Sequence, residues 1–178
     1  MNHYTNTARL LVAVDCIIFG FDGSQLKLLI VQRSIQPEKG KWSLIGGFIH
    51  GGEECEGAAT RILKAYTGLE VVYLEQLDTF SEPKRDPHKR TISVAHYALI
   101  DILKYEKQLS NDFHAEWYGL DKIPKLIFDH ARMVEFAKDR LKYKSALHPI
   151  LFELLPDKFT LPQLQILYEG IYGTQLDK

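Results

Sequence analysis

Apolar residues fall along this chain in two kinds of pattern, continuous runs and helical stripes, and their alternation predicts an α/β domain. Leu10 to Phe21 and Leu26 to Gln32 are apolar runs flanking Asp22-Gly23, a dipeptide that favours a tight hairpin, so these strands are expected to pair antiparallel. KWSLIGGF, residues 41 to 48, is a further apolar strand ending in glycines. Residues 54 to 67 switch to helical spacing: Cys55, Ala59, Ile62, Leu63 and Tyr66 lie three and four apart, and Gly68 supplies a left-handed stop. Val71 to Phe80 and Thr91 to Ile102 return to strand character on either side of the polar loop SEPKRDPHKR, and both are expected to be buried on two faces. Ala115 to Leu120 predicts a short strand. Met133, Val134, Phe136, Ala137 and Leu141 then form the inward stripe of a helix that Asp129 is placed to cap.

From Ser145 the period is lost in SALHPILFELLPDKF, which reads as a connector. Thr160 opens a last helix, with Leu161, Leu164, Leu167, Tyr168 and Ile171 on one face and Gly173 at its end. One amphipathic helix cannot bury its own stripe, so it must pack on the first domain, on another chain or on further residues. The expected organisation is a domain over residues 1–144, a connector over 145–158 and the first part of a second unit over 159–178.

A length of 178 residues, 46% hydrophobic and 25% charged, suits one sizeable globular domain with an appendage. Lys and Arg total 22 against 23 Asp and Glu, a net charge of -1, so no overall basic field recommends nucleic acid and any DNA contact must come from a local patch. Cys16 and Cys55 stand singly on apolar elements, as buried thiols do in a reducing compartment, and a cytoplasmic location is expected. The apolar stretch LLVAVDCIIFGF is too short to span a bilayer and contains Asp15, so no membrane association is expected.

The glycines of residues 47 to 69 form a longer frame, GFIHGGEECEGAATRILKAYTGL, in which Gly47, Glu53, Arg61, Leu63, Gly68 and Leu69 fall on the fixed positions of a Nudix box. The resemblance implies a strand–loop–helix in which Glu53 and Arg61 tie the glycine loop to the helix through a charge-assisted bond. Catalytic boxes carry glutamates after the arginine, one helical turn apart, and these converge on a divalent metal beside a diphosphate. Ile62, Ala65 and Tyr66 stand at those positions and offer no anionic oxygen at neutral pH. The expectation is therefore a binding domain with no catalytic residue, no metal ligand and no cofactor. The alternative is a hydrolase of ADP-ribose or a related nucleoside diphosphate derivative that recruits magnesium or manganese through Glu53, Glu54, Glu56 or Glu75.

The whole chain resembles the Nudix-related transcriptional regulators of the NrtR type, and within them the sugar-responsive branch that includes arabinose-utilisation regulators. The segments that carry the likeness are DCIIFGF, KWSLIGGF, RDPHKRTISVAHYALI, IPKLIFDH and LLPDKFTLPQLQILYEGIYGTQLDK. The resemblance implies a Nudix α/β/α sandwich with a mixed sheet that senses an effector, followed by the start of a winged helix-turn-helix. It also implies a homodimer, a sugar or nucleotide-sugar effector, and operator DNA read by a basic segment beyond Lys178.

Ligand-binding candidates are Arg33 at the end of the second strand, Gly46 and Gly47 in the glycine loop, Asp86 and Arg90 in the polar loop, and His96 on an apolar strand. A solvated strand end, an ordinary turn around Pro87 and a satisfied core histidine are the structural alternatives for Arg33, the polar loop and His96. Arg85 adds a third charge to that loop. Trp42 and Phe48 bracket the box and could stack on a ring, although both suit core positions better. Gly47, Glu53, Arg61 and Gly68 are the structural residues of the box.

Overall fold

The computed structural model describes residues 7–69, 72–105 and 115–176. Strands β1 (Leu11–Phe21), β2 (Leu26–Gln32), β3 (Trp42–Ser43), β4 (Ile45–Phe48), β5 (Tyr73–Phe80), β6 (Thr91–Asp101) and β7 (Ala115–Gly119) form one seven-stranded sheet. Its main path is β3-β2-β1-β6-β5, with β4 joining β1 and β7 joining β2. β1 and β6 run parallel over their whole length, whereas the other pairings are antiparallel, so the sheet is mixed. The hairpin expected at Asp22-Gly23 is present: Phe21 pairs with Leu26, and Gly23 takes φ +85.

Because side chains alternate along a strand, the two faces of β1 and β6 support two separate cores. Val14, Cys16, Ile18, Ala98 and Ile100 pack with Ala58, Ala59, Ile62 and Leu63 of helix α1 (Cys55–Thr67). Burial, and then the adjacent Asp15, push the Cys16 thiol up to about 12, so it is an inert core group. On the opposite face Ile17, Phe19, Tyr97 and Leu99 meet Met133, Val134, Ala137 and Leu141 of helix α3 (His130–Leu147). A one-turn helix α2 (Ile102–Tyr105) follows β6 directly. The result is the α/β/α sandwich expected from the sequence.

Three expectations need correction. β5 is not buried on two faces: it is an edge strand, and of its residues only Leu77 and Phe80 are buried. The expected start of that strand at Val71 lies outside the described residues, as does Lys178. Asp129 precedes α3 but makes no side-chain cap bond, since its carboxylate is engaged elsewhere. Residues 145–158 are not a loose connector either. α3 continues to Leu147, and the 3-10 turn Ile150–Leu154 buries Ile150, Leu151 and Leu154 in the α3-side core, because three apolar side chains on one short turn gain more by burial than by exposure.

Helix α4 (Leu161–Tyr172) carries the complete capping box that Thr160 and Gln163 allow, and Gly173 closes it in the left-handed conformation. Its stripe is buried on the first domain: Leu167 and Ile171 join the α3-side core, while Leu161 stays outside. Tyr172 Oη lies 3.0 Å from Ser145 Oγ of α3.

Candidate functional site

The glycine loop, the first half of β1, the segment after β2, the loop before β6 and the entry to α3 enclose a cleft of about 220 Å³. Its floor is polar and buried, an arrangement that costs free energy unless every charge is paired. Arg85, 7% exposed, grips Asp129 through Nε and Nη2 at 3.0 and 2.8 Å, and Nη2 also approaches Asp15 Oδ2 at 3.5 Å. Ser93 Oγ donates to Asp15 Oδ2 at 2.6 Å. The Leu44 N–H donates to His130 Nδ1 at 3.1 Å, which leaves the proton of the neutral ring on Nε2, facing Asp15 Oδ1 at 3.7 Å. Burial holds the His130 pKa below the ordinary histidine value, with Arg85 adding to the effect and Asp15 opposing it. Asp15 and His130 thus present an acceptor and a donor to one gap, beyond direct hydrogen-bond reach of each other, and a hydroxyl needs both.

Gly46 and Gly47 are glycines because of what stands behind them. A Cβ on Gly46 would run into the Asp15 carboxylate and the Val14 carbonyl, and one on Gly47 would press on Ile62 Cδ1 at 3.1 Å. Both line the cleft, as do Arg33, whose Nε donates to the Pro37 carbonyl at 2.9 Å, and Asp86. The Asp86 carboxylate is partly engaged within its own loop, accepting from the His88 N–H at 2.8 Å and more loosely from Thr91 Oγ1 at 3.4 Å.

Arg90 and His96 do not line this cleft. Arg90 turns to the outside of its loop, where Nη1 donates to the Glu82 carbonyl at 3.3 Å. His96 occupies the α1 side of β6, the face opposite Ser93, and its Nδ1 lies 3.2 Å from the Val94 carbonyl. Burial lowers its pKa too, so it is a neutral core histidine. Phe48, assigned above to the core, is 54% exposed and forms part of the cleft wall, because β4 ends at the sheet rim. Trp42 is half-buried, edge-on to Tyr118 with ring centroids 5.2 Å apart.

Asp15, Ser93, Asp129 and His130 were not among the sequence candidates. An aspartate inside the apolar run of β1 was their signal, since a buried carboxylate demands partners from elsewhere in the chain.

The box itself is closed by Arg61, which donates to Glu53 through Nε at 2.7 Å and Nη2 at 2.8 Å and to the Phe48 carbonyl at 3.2 Å. Glu53 also accepts from the His50 N–H, so one carboxylate and one guanidinium span the loop and the helix. Arg61, and then the His50 N–H, bring the Glu53 pKa down to about 2. Gly68 takes φ +76, and its N–H caps Lys64.

Residues 9–138 match the family model of the NUDIX domain, and residues 151–178 match that of the NrtR DNA-binding winged helix domain. The chain belongs to the NrtR-type Nudix proteins. It is 37% identical over 172 residues to the ADPR responsive transcriptional repressor NtrR of Acinetobacter baylyi, covering 94% of this chain and 69% of that protein. It is 36% identical over 135 residues to an ADP-ribose pyrophosphatase of Methanocaldococcus jannaschii, 75% of each chain. The crystal structure of Shewanella oneidensis NrtR complexed with a 27mer DNA superposes with TM-score 0.83 at 33% identity, over 93% of this chain and 77% of that one. The NUDIX domain of that regulator complexed with ADP ribose gives TM-score 0.62 at 30% identity, over 79% and 94%.

In this Nudix domain the positions that hold metal in the hydrolases do not fit a cation. Ile62 is buried under Gly47, Ala65 is an exposed methyl, and Tyr66 borders a small recess of about 80 Å³ beside Arg33 and Gly46. The other glutamates do not converge: Glu53 is bound to Arg61, Glu54 and Glu56 are exposed, and Glu75 on β5 pairs with Lys144. Among the described residues no group of three or more His, Cys, Asp or Glu is placed to hold a metal ion.

Proposed function

We propose that this chain is the effector-sensing part of a transcriptional regulator, and that its Nudix cleft binds a nucleoside diphosphate sugar of the ADP-ribose kind without hydrolysing it. The observation that carries this reading is one pair of facts about one cleft. Its polar floor of Asp15, Arg85 and His130 is in place, with Ser93 bound to Asp15 from behind, while apolar and phenolic side chains occupy the metal positions. The floor can hold the hydroxyls of a ribose, and Arg33 brings a cation to the same wall for phosphate oxygens. The names of the Acinetobacter and Shewanella relatives point to the same ligand class. The segment over 151–178 contributes to operator binding in a dimeric, cytoplasmic regulator.

Calorimetric titration of ADP-ribose in the presence of a chelator tests this, with the nucleotide recovered and analysed afterwards. Binding with intact ADP-ribose is expected, and a hundredfold excess over the dissociation constant should add about 2.7 kcal/mol of stability. Arabinose and other free sugars form the comparison arm: a response to them in place of ADP-ribose would assign the regulator to sugar catabolism. Turnover with magnesium or manganese at about 1 per second would establish the hydrolase alternative instead.

A further inference from the structure

Asp101, the last residue of β6, is 2% exposed, and only one oxygen of its carboxylate is engaged. Oδ1 accepts from the Leu103 and Lys104 N–H groups at 3.0 and 3.3 Å, which caps the turn that opens α2. Oδ2 is buried and has no hydrogen-bond partner among the described residues. A buried carboxylate oxygen without a donor costs stability. Folding has already stripped it of solvent, so a donor that reaches it forms the bond without that further cost.

Asp101 lines a cavity of about 320 Å³ at the far end of β6 from the cleft, which the first residue of that strand, Thr91, lines. From Thr91 to Asp101 the strand rises roughly 30 Å, so the two sites are separate. One wall, with Asp101, Lys104 and Tyr105, belongs to the segment that matches the NUDIX domain, and the other, with Phe152, Glu153 and Asp157, to the segment that matches the winged helix domain. Three carboxylates, Asp101, Glu153 and Asp157, stand against the one ammonium of Lys104, an excess of two negative charges. Glu153 and Asp157 are exposed, so the charge runs from the rim to the buried Asp101. Lys104 Nζ lies 5.6 Å from the centroid of the Tyr105 ring, which shows that this aromatic wall accepts a cation.

We propose that this cavity binds a linear alkyl diamine, with one ammonium donating to Asp101 Oδ2, the other held by Glu153 and Asp157 at the rim, and the methylene chain between Tyr105 and Phe152. The unpaired oxygen selects the head group. A single acceptor suits an ammonium, whereas a guanidinium seeks two parallel bonds and Oδ1 is already taken. A metal ion fits less well, since among the described residues no three His, Cys, Asp or Glu are placed to hold one. Because the walls come from both matched segments, the occupant ties the end of the Nudix sheet to the stretch that leads into α4. The site is independent of what the cleft binds.

The test is calorimetric titration of the whole chain with 1,4-diaminobutane at constant ionic strength, beside 1,4-butanediol, Nα-acetyl-lysine methylamide and magnesium chloride. The diamine should bind and raise the melting temperature, and the diol should do neither. The lysine derivative, with one ammonium, should bind about tenfold more weakly or worse, since one charge-assisted bond is lost. Asp101→Asn keeps an acceptor for the cap on α2 and should weaken the diamine about tenfold or more. Glu153→Gln combined with Asp157→Asn changes only exposed side chains and should weaken it likewise, so the result does not depend on the folding of the Asp101 variant. A wild-type chain that ignores the diamine, or folded variants that bind it as the wild type does, would overturn the site. Magnesium acting as strongly as the diamine would reduce the effect to charge screening and overturn it too. Equal or tighter binding of the lysine derivative would give the cavity to a lysine side chain of another protein and overturn the diamine.

Discussion

Arg85 and Asp129, 44 residues apart in sequence, meet in a two-point bond of 2.8 and 3.0 Å that joins the loop before β6 to the residue preceding α3. The guanidinium is buried and also lies within 3.5 Å of Asp15, so one cation serves two carboxylates. Arg85→Ala leaves both anions without it, and a loss of about 3 kcal/mol is expected in urea unfolding. Arg85→Lys should recover only part, because an ammonium cannot make the planar two-point contact. A variant as stable as the wild type would show that the pair is not needed to hold α3.

His130 makes stability depend on pH in the acid direction. Its folded pKa lies below the ordinary value of about 6.5 because of burial, then Arg85, against the pull of Asp15. Above 6.5 neither state carries the proton and the group contributes no pH dependence. As pH falls below 6.5 the unfolded chain takes up a proton that the folded chain resists, so stability declines toward the folded pKa. His130→Asn should flatten the fall in melting temperature between pH 7 and pH 5. An unchanged slope would mean that the imidazole takes up its proton equally in the folded and unfolded chains.

Glu53 acts over a lower window. Held at about 2 by Arg61 and the His50 N–H, it contributes stability that is fully present above its ordinary value of 4.5 and is lost as pH falls through about 2. Arg61→Ala should lower the melting temperature at pH 7, and the gap to the wild type should close on acidification from pH 5 to pH 3. A gap that stays constant would place the effect in the packing of the arginine stem.

Gly46→Ala sets a methyl against the Asp15 carboxylate and the Val14 carbonyl. The carbonyl belongs to the β1 backbone paired with β4 and cannot move aside, so a loss of about 1–3 kcal/mol is expected, with Asp15 displaced from Ser93. ADP-ribose affinity should fall with it. Wild-type affinity in a folded Gly46→Ala chain would remove Asp15 from the binding floor.

Much of this architecture is legible in the sequence. The apolar runs mark β1, β2 and β6, Thr160 before an apolar stripe marks the start of α4, and the spacing of Gly47, Glu53, Arg61 and Gly68 marks the strand–loop–helix of the box, because all of these are signals of local period or short separation. The polar floor left no such trace. Asp15, Arg85, Ser93 and Asp129 come from four separate parts of the chain, and only the parallel pairing of β1 with β6 brings Asp15 near Ser93. For the same reason β5 looked like an interior strand: composition reports apolarity, while its place at the edge is decided by what the rest of the sheet leaves unpaired.

Ile62 has been absorbed into the packing of its own domain. It is 4% exposed, sits beneath Gly47 and belongs to the α1-side core with Val14, Cys16 and Leu63. A glutamate returned to this position alone would bring a charge into an apolar contact with no cation to receive it, at a cost of several kcal/mol. A single change toward a metal ligand at Ile62 therefore damages the fold before it supplies any chemistry, so the packing of the α1-side core and the charge of the box cannot be altered one at a time at this position.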